Sequence, residues 1–425
     1  MVVHLVCGDE VGFVKLLGVS EESKIADANF GNNGTSKSNG SNRVVNSVLA
    51  RWGVQTRETQ IQSLCLSSIS SGSVVAALRN NIVKEVEFKK GKAGHFHTSE
   101  KDIMEGSQSA IVSLCKSPVD DGGERLVSCS QDGWIECFRS DSNIPNKFEV
   151  GGPVERMRGC SGTSTVAIGG KENDLSLWDL STQQCTFRAR NVPHDKLDMR
   201  VPIWVTDMAF PKLQGGTKQD NNMVWTCTGY GQIRVYDVRT QRRPVRSKKL
   251  NNFGHLKTIL SVDDTNLVVG DVQGHLARFD VATMRINGHF KGFTGGIRSL
   301  DIHPSKPLLA SCGLDRIVRV HHLSTRKVVG EVYVKQKLTD VKFCPAFDLP
   351  DPGNHSLEEH IGKKRKHIKV TSRTRKAGRG SNNDDDEIVD LDVDNSSDSE
   401  DDAEEESDGT ISNDDDEDTS DSGNI

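Results

Sequence analysis

The chain has 425 residues, 34% of them hydrophobic and 39 of them glycine, enough for one large domain or two to three smaller ones. Its formal charge of −6, from 54 Lys and Arg against 60 Asp and Glu, hides a division: from Asp384 onward there are 21 acidic residues and no Lys or Arg, so the first 383 residues carry a balance of +15. A basic body with an acidic tail points to nucleic-acid-rich surroundings rather than to a simple soluble enzyme.

Residues 1–14 are mildly apolar but hold His4, Asp9 and Glu10, and no apolar run approaches 18 residues. Neither a signal peptide nor a spanning helix is expected, and no membrane partner. Ten Cys are scattered without a C-x-x-C pair, which reads as small buried thiols in a reducing compartment, cytosol or nucleus. The sequon at Asn33 should therefore stay unglycosylated.

Along the chain, short β-type runs come in pairs, each a strand ending in small residues, a polar turn and an alternating strand. Seven pairs occur, at 2–19, 73–88, 125–138, 165–180, 223–238, 266–280 and 307–323, most of them preceded by a further apolar run. The last turns lie near residues 231, 273 and 315, about 42 residues apart, which is the period of a four-stranded β-propeller blade. The fold class is thus all-β, a seven-bladed WD40-type propeller. The first pair has no preceding strand, so Lys337–Phe343 is the expected donor that closes the ring. A duplicated pair of sandwiches is the plainer alternative.

The propeller is assigned to 1–345, with flexible insertions near 20–57, 89–108 and 212–222 where Asn, Gly, Ser and charged residues gather. Residues 346–383 read as a basic disordered linker and 384–425 as an acidic disordered tail.

Trp178-Asp179, Tyr236-Asp237, Phe279-Asp280 and His321-His322 stand at corresponding places of their units, and Asp132 and Asp315 fall in tight turns, where a carboxylate holds backbone N–H groups. These are structural positions. His95 and His97 would share a strand face, but no Cys or acid completes a metal site. Gly169-Gly170-Lys171 lacks the spacing of a phosphate loop, and no nucleophile elbow or carboxylate pair is present. The chain is read as a non-enzyme with no cofactor and no metal.

The connection from the fourth unit to the fifth, residues 188–210, concentrates Arg190, Asp198, Arg200 and Trp204, and should emerge beside Lys171, Glu172 and Asn173 and beside Tyr230. Arg and Trp on a rigid rim have the composition of an interface anchor; the alternative is that the charges satisfy the loop itself.

GGKENDLSLWDL, RARNV followed by LDMRVPIW, CTGYGQIRVYD, QRRPV and HPSKPLLASCGLDR resemble the signatures of the WD repeat-containing protein seventy-four family, nucleolar factors for assembly of the large ribosomal subunit. The similarity is strongest over 150–335, weaker over 1–149 and absent from the tail. The resemblance implies a seven-bladed scaffold on pre-60S particle proteins and ribosomal RNA, acting in pre-rRNA processing and released by an AAA-type ATPase. Lys363, Lys364, Arg365 and Lys366 form a basic run fit for importin or RNA phosphate, consistent with a nuclear and nucleolar protein. Ser397, Ser399 and Ser412 each precede an acid by three residues, as acidophilic kinases require. The alternative function is a substrate receptor of a cullin-RING ubiquitin ligase, motivated by Tyr236-Asp237-Val238-Arg239.

Overall fold

The computed structural model describes residues 2–20, 46–67, 72–91, 96–104, 109–119, 123–139, 142–194, 196–212 and 222–347. The basic run 363–366, the three serines, His95, Asp195 and most of the 212–222 insertion lie outside the described residues.

Seven four-stranded antiparallel sheets follow one another around a ring. Blade 1 is built from Val2–Asp9, Val14–Ser20 and Ser47–Trp52, completed by Leu338–Phe343 as its inner strand. Blade 2 runs Ile61–Leu66, Ser73–Leu78, Val83–Lys90 and Phe96–Met104; blade 3 runs Ile111–Pro118, Glu124–Ser130, Trp134–Arg139 and Ser142–Glu149. Blade 4 is Arg156–Gly159, Thr165–Gly169, Ser176–Asp179 and Gln184–Arg188; blade 5 is Val205–Ala209, Met223–Thr228, Gln232–Asp237 and Arg246–Lys249. Blade 6 is Leu256–Ser261, Asn266–Asp271, Leu276–Asp280 and Arg285–Phe290; blade 7 is Ile297–Ile302, Leu308–Gly313, Ile317–His322 and Val328–Tyr333. In blades 2 to 7 the strands run from the central channel outward in that order.

A single blade cannot bury both faces of its middle strands, and the core is therefore a set of layers between neighbours. Val3, Leu5 and Leu17 meet Leu308, Val320 and Val332 across blades 7 and 1, while Trp225 and Ile233 meet Leu267 and Phe279 across blades 5 and 6. Close approach demands small residues at the ends of the second strands: a Cβ on Gly8 would come within 2.5 Å of Ile61, and one on Gly169 within 2.8 Å of Val205. Gly169 and Gly170 thus serve blade packing, since a Cβ on Gly170 would collide with the Pro153 carbonyl.

The closing strand pairs in register with the first, Leu5 with Phe343 and Cys7 with Val341. Pro345–Phe347 extends the packing past it, the Phe347 ring lying edge-on to Phe96 at 5.4 Å. Two readings of the sequence need correction. Ser47–Trp52 and Phe96–Met104, placed within flexible insertions, are the outer strands of blades 1 and 2. None of their described side chains is fully buried, but Leu49, Ala50, Trp52 and Phe96 lean half-buried on the core between blades 1 and 2, so each strand covers the core on one side and meets water on the other. Trp52 ties the two together, its Nε1 donating to Glu100 at 2.5 Å. The propeller's contacts also reach Phe347 rather than stopping at 345.

The turn positions after the third strands are held as expected. Asp179, Asp237 and Asp280 accept the N–H groups of Ser181, Arg239 and Ala282 at 2.9–3.0 Å. Asp132, by contrast, is exposed, and in its blade the hydroxyl of Ser130 accepts the Trp134 N–H at 3.0 Å instead. Asp315 pairs with Arg319 in the blade 7 turn.

If the last strand carries the ring closure, Phe343→Ala should cost about 3–5 kcal/mol, the usual range for emptying a buried phenylalanine site, because Phe343 is 1% exposed and stacks edge-on with His303 at 5.1 Å. Equilibrium urea denaturation of the variant measures it. A loss below about 1 kcal/mol would show that the closing strand contributes little.

Candidate binding face

Trp204 sits immediately before the inner strand of blade 5, where the chain drops from the long inter-blade connection into the ring. Its backbone bridges to Lys171, with Glu172 N donating to Ile203 O at 3.0 Å and Val205 N to Gly170 O at 3.0 Å. The indole packs on bare backbone: a Cβ on Gly229 would collide with the ring. His255 approaches it edge-on at 4.3 Å and Tyr230 at 5.8 Å, while the Lys171 ammonium lies 5.8 Å from the ring centroid. Glu155 fixes the indole by accepting its Nε1–H at 2.5 Å and takes the Lys257 ammonium at 2.7 Å on its other oxygen.

Trp204, Glu155, His255, Lys257, Arg298 and Val272 are among the residues lining a depression of about 260 Å³ where the inner strands of blades 4 to 7 begin. Burial, followed by the Lys257 charge, holds the His255 imidazole below its ordinary pKa, so the ring is neutral at physiological pH. At this depression the face carries the exposed apolar groups Tyr230 and Val272, from the turns of blades 5 and 6, and the connecting loop exposes Leu197 and Met199. Amphipathic aromatics in a rigid frame, ringed by charge, suit a protein partner.

The structure brings together five of the eight residues singled out in the sequence: Lys171, Glu172, Arg200, Trp204 and Tyr230. Arg200 pairs with Glu172 at 2.8 Å, both side chains being at least half exposed, an ion pair worth little to stability. Asn173 commits its side-chain amide to the carbonyls of Gly151 and Pro153, at 3.2 and 3.3 Å, and so positions the turn. Asp198 is 94% exposed and pairs with His194 at 2.8 Å. Arg190 stands apart, its N–H donating to Arg242 O at 2.8 Å at the blade 5 rim. Sequence reasoning missed Glu155, Gly229, His255 and Lys257. Glu155 and Lys257 are 102 residues apart and meet only because blades 4 to 6 are neighbours in a ring; the one local signal was the glycine-flanked Tyr230.

Comparison with known proteins bears on the family and on the fold. A family model described as WD domain, G-beta repeat, matches residues 282–322. The chain is 34% identical to WD repeat-containing protein 74 of Mus musculus over 344 residues, 79% of each chain, and 34% identical to the Homo sapiens protein of that name over 346 residues, again 79% of each. Ribosome biogenesis protein nsa1 of Schizosaccharomyces pombe is 28% identical over 251 residues, 49% of this chain and 62% of that one. The solved WD40 β-propeller domain of Doa1 superposes with a TM-score of 0.51 at 14% identity, covering 65% of this chain and 82% of that chain, a likeness of fold alone.

The Gly229–Trp204 contact makes a specific test. Gly229→Ala should displace the indole, moving the tryptophan emission and slowing partner capture as far as Trp204→Ala does. A Gly229→Ala variant with the emission of the unmodified chain would mean that the ring does not depend on this support.

Proposed function

The chain belongs to the WD repeat-containing protein 74 family, and from that premise we propose that it is a non-catalytic scaffold in the assembly of the large, 60S, ribosomal subunit. The observation that carries the reading is the extent of the relatedness, which covers 79% of this chain rather than one repeat, joined to a relative whose name is ribosome biogenesis protein. In this reading the face around Trp204, with Lys171, Glu172, Arg200 and Tyr230, docks a protein of the pre-60S particle. Asn173 holds the turn beneath it, and Arg190 and Asp198 extend the contact along the connecting loop. An AAA-type ATPase releases the factor when its step is complete.

The protein acts in the nucleolus, and Lys363, Lys364, Arg365 and Lys366 engage importin to bring it into the nucleus. Phosphorylation at Ser397, Ser399 and Ser412 deepens the negative charge of a tail that tempers contact between the basic body and unrelated RNA. The comparisons lend the ligase-receptor alternative no support, and within its motif Tyr236 is buried while Arg239 is bound by Asp237 at 3.1 Å.

Affinity purification of the tagged chain should recover large-subunit precursor particles; recovery of a ligase adaptor without ribosomal RNA would overturn the reading. An Arg190→Ala, Arg200→Ala double variant should lose about thirtyfold in particle affinity, equivalent to about 2 kcal/mol, with an unchanged melting temperature because the Arg200–Glu172 pair is exposed. Full particle association by that folded variant would remove these arginines from the interface. Replacing 363–366 by alanine should shift a fluorescent fusion toward the cytoplasm, and unaltered nuclear entry would show carriage by a partner.

A further inference from the structure

The outermost strands of blades 4 to 6 and the turns that lead into and out of them carry no carboxylates, the nearest being Asp179, Asp237 and Asp280 at the ends of the third strands. The sequence holds no Asp or Glu from Leu180 to His194, from Val238 to Val262 or from Val281 to Leu300, and these stretches supply the three outer strands Gln184–Arg188, Arg246–Lys249 and Arg285–Phe290. The blade 5 strand is exposed at all four positions. Three of the four are cations, and exposed Arg242 and Arg243 precede them.

These cations are oriented but not neutralised. Arg246 Nη1 donates to the carbonyls of Val281 and Ala282 at 3.1 and 2.7 Å, Lys248 Nζ to Met284 O at 2.6 Å, and Arg242 Nε to Arg188 O at 2.7 Å. Among the described residues none of Arg242, Arg243, Arg246, Lys248 and Lys249 forms an ion pair with a carboxylate. The walls of blades 2 and 3 differ: Lys84 meets Glu100 and Asp102 at 3.2 Å, Lys89 meets Glu87 at 2.8 Å and Lys147 meets Glu136 at 3.0 Å.

Guarding a sheet edge against strand addition is one use of such charge, but Val328–Tyr333, the outer strand of blade 7, has no cation at all, so edge protection does not call for this run. A protein partner would want an apolar anchor; the segment 239–249 exposes only Val245 among its large hydrophobics and contains no aromatic. Side chains alternate along the strand, which sends Arg246 and Lys248 toward blade 6 and Lys249 to the opposite face. Cations thus flank both sides of one protruding edge, without the stacking platforms that read bases.

We propose that the outer wall of blade 5, centred on Arg242 to Lys249, binds the sugar-phosphate backbone of RNA. It rests on the assembly-factor reading for the choice of RNA among polyanions, and it uses a surface separate from the Trp204 face. Contacts to phosphate position without specifying sequence, so the wall would orient the propeller on RNA while the Trp204 face selects the protein.

The test uses the full chain and a fluorescein-labelled, mixed-sequence single-stranded RNA, with anisotropy measured across a sodium chloride series. Each phosphate contact on a single strand contributes about 0.7 to the slope of log affinity against log salt. Arg243→Gln, Lys248→Gln, Lys249→Gln should lower that slope by up to about 2 and weaken binding about tenfold near 0.1 M salt, with the basic run at 363–379 present in both proteins. Arg242→Gln, Arg246→Gln, which loosens the carbonyl contacts, serves as a second variant if the first melts early. Equal slopes and affinities in folded variants would overturn the proposal, as would retained RNA binding accompanied by lost binding of a poly-glutamate probe, which would assign the wall to an acidic protein. Trp204→Ala should leave the RNA slope unchanged, so failure of the wall and failure of the protein-docking face remain distinguishable.

Discussion

The inner strands of a ring of stacked sheets converge on the channel, and there polar side chains tie most of them to their neighbours. Asp340 shows how this is done. From the closing strand its carboxylate accepts Leu64 N of blade 2 at 2.8 Å and the Ser299 hydroxyl of blade 7 at 2.5 Å, so one side chain joins three blades. Ser63 and Ser113 repeat the device, accepting Leu114 N and Met157 N at 3.2 and 3.1 Å. Between blades 4 and 5 the link is ionic: Arg158 clasps both oxygens of Asp207 at 2.8 and 2.7 Å, and Asp207 also takes Ile259 N of blade 6 at 3.2 Å. Burial alone would raise the Asp207 carboxyl, but the charges of Arg158 and Arg156 hold it below the ordinary range. Removing one partner of such a buried pair is far more damaging than its net worth suggests.

The functional surface inherits its order from this belt. Glu155, Trp204 and His255 each stand immediately before the inner strands of blades 4, 5 and 6, so they begin where the chain is most constrained. Their mutual geometry is set by the ring and not by the long loop between blades 4 and 5. The outer wall obeys a different rule, because strands far from the channel are free to take whatever composition their surroundings favour. In blades 2 and 3 that freedom yields paired charges; in blade 5 it yields cations held by the carbonyls of blades 4 and 6.

What could be read from the sequence follows the same division. The middle strands have one hydrophobic period and turn residues between them, so all seven pairs and the closing strand within 337–343 were visible. The outer strands Ser47–Trp52 and Phe96–Met104 were not, since only a few of their side chains, such as Leu49, Trp52 and Phe96, lean on the core, and the polar insertions around them mask so short a period. Lys171 and Trp204 were found together because the order of strands in a blade brings their connections to one face. Glu155 and Lys257 were not, because each looks like a solvated charge until the ring places them beside the indole. The run from Arg242 to Lys249 was plain as letters, but its lack of carboxylate partners is a property of three neighbouring blades and could not be seen along one strand.

Crosslinking of the tagged chain within precursor particles, with the adducts located on the protein by mass spectrometry, tests most directly the claim that one rigid ring presents two separate surfaces. The account expects RNA adducts on the blade 5 wall, between Arg239 and Lys249, and protein crosslinks at Lys171 and along the loop that carries Arg200. RNA adducts confined to residues 363–379, or protein crosslinks confined to the wall, would contradict it.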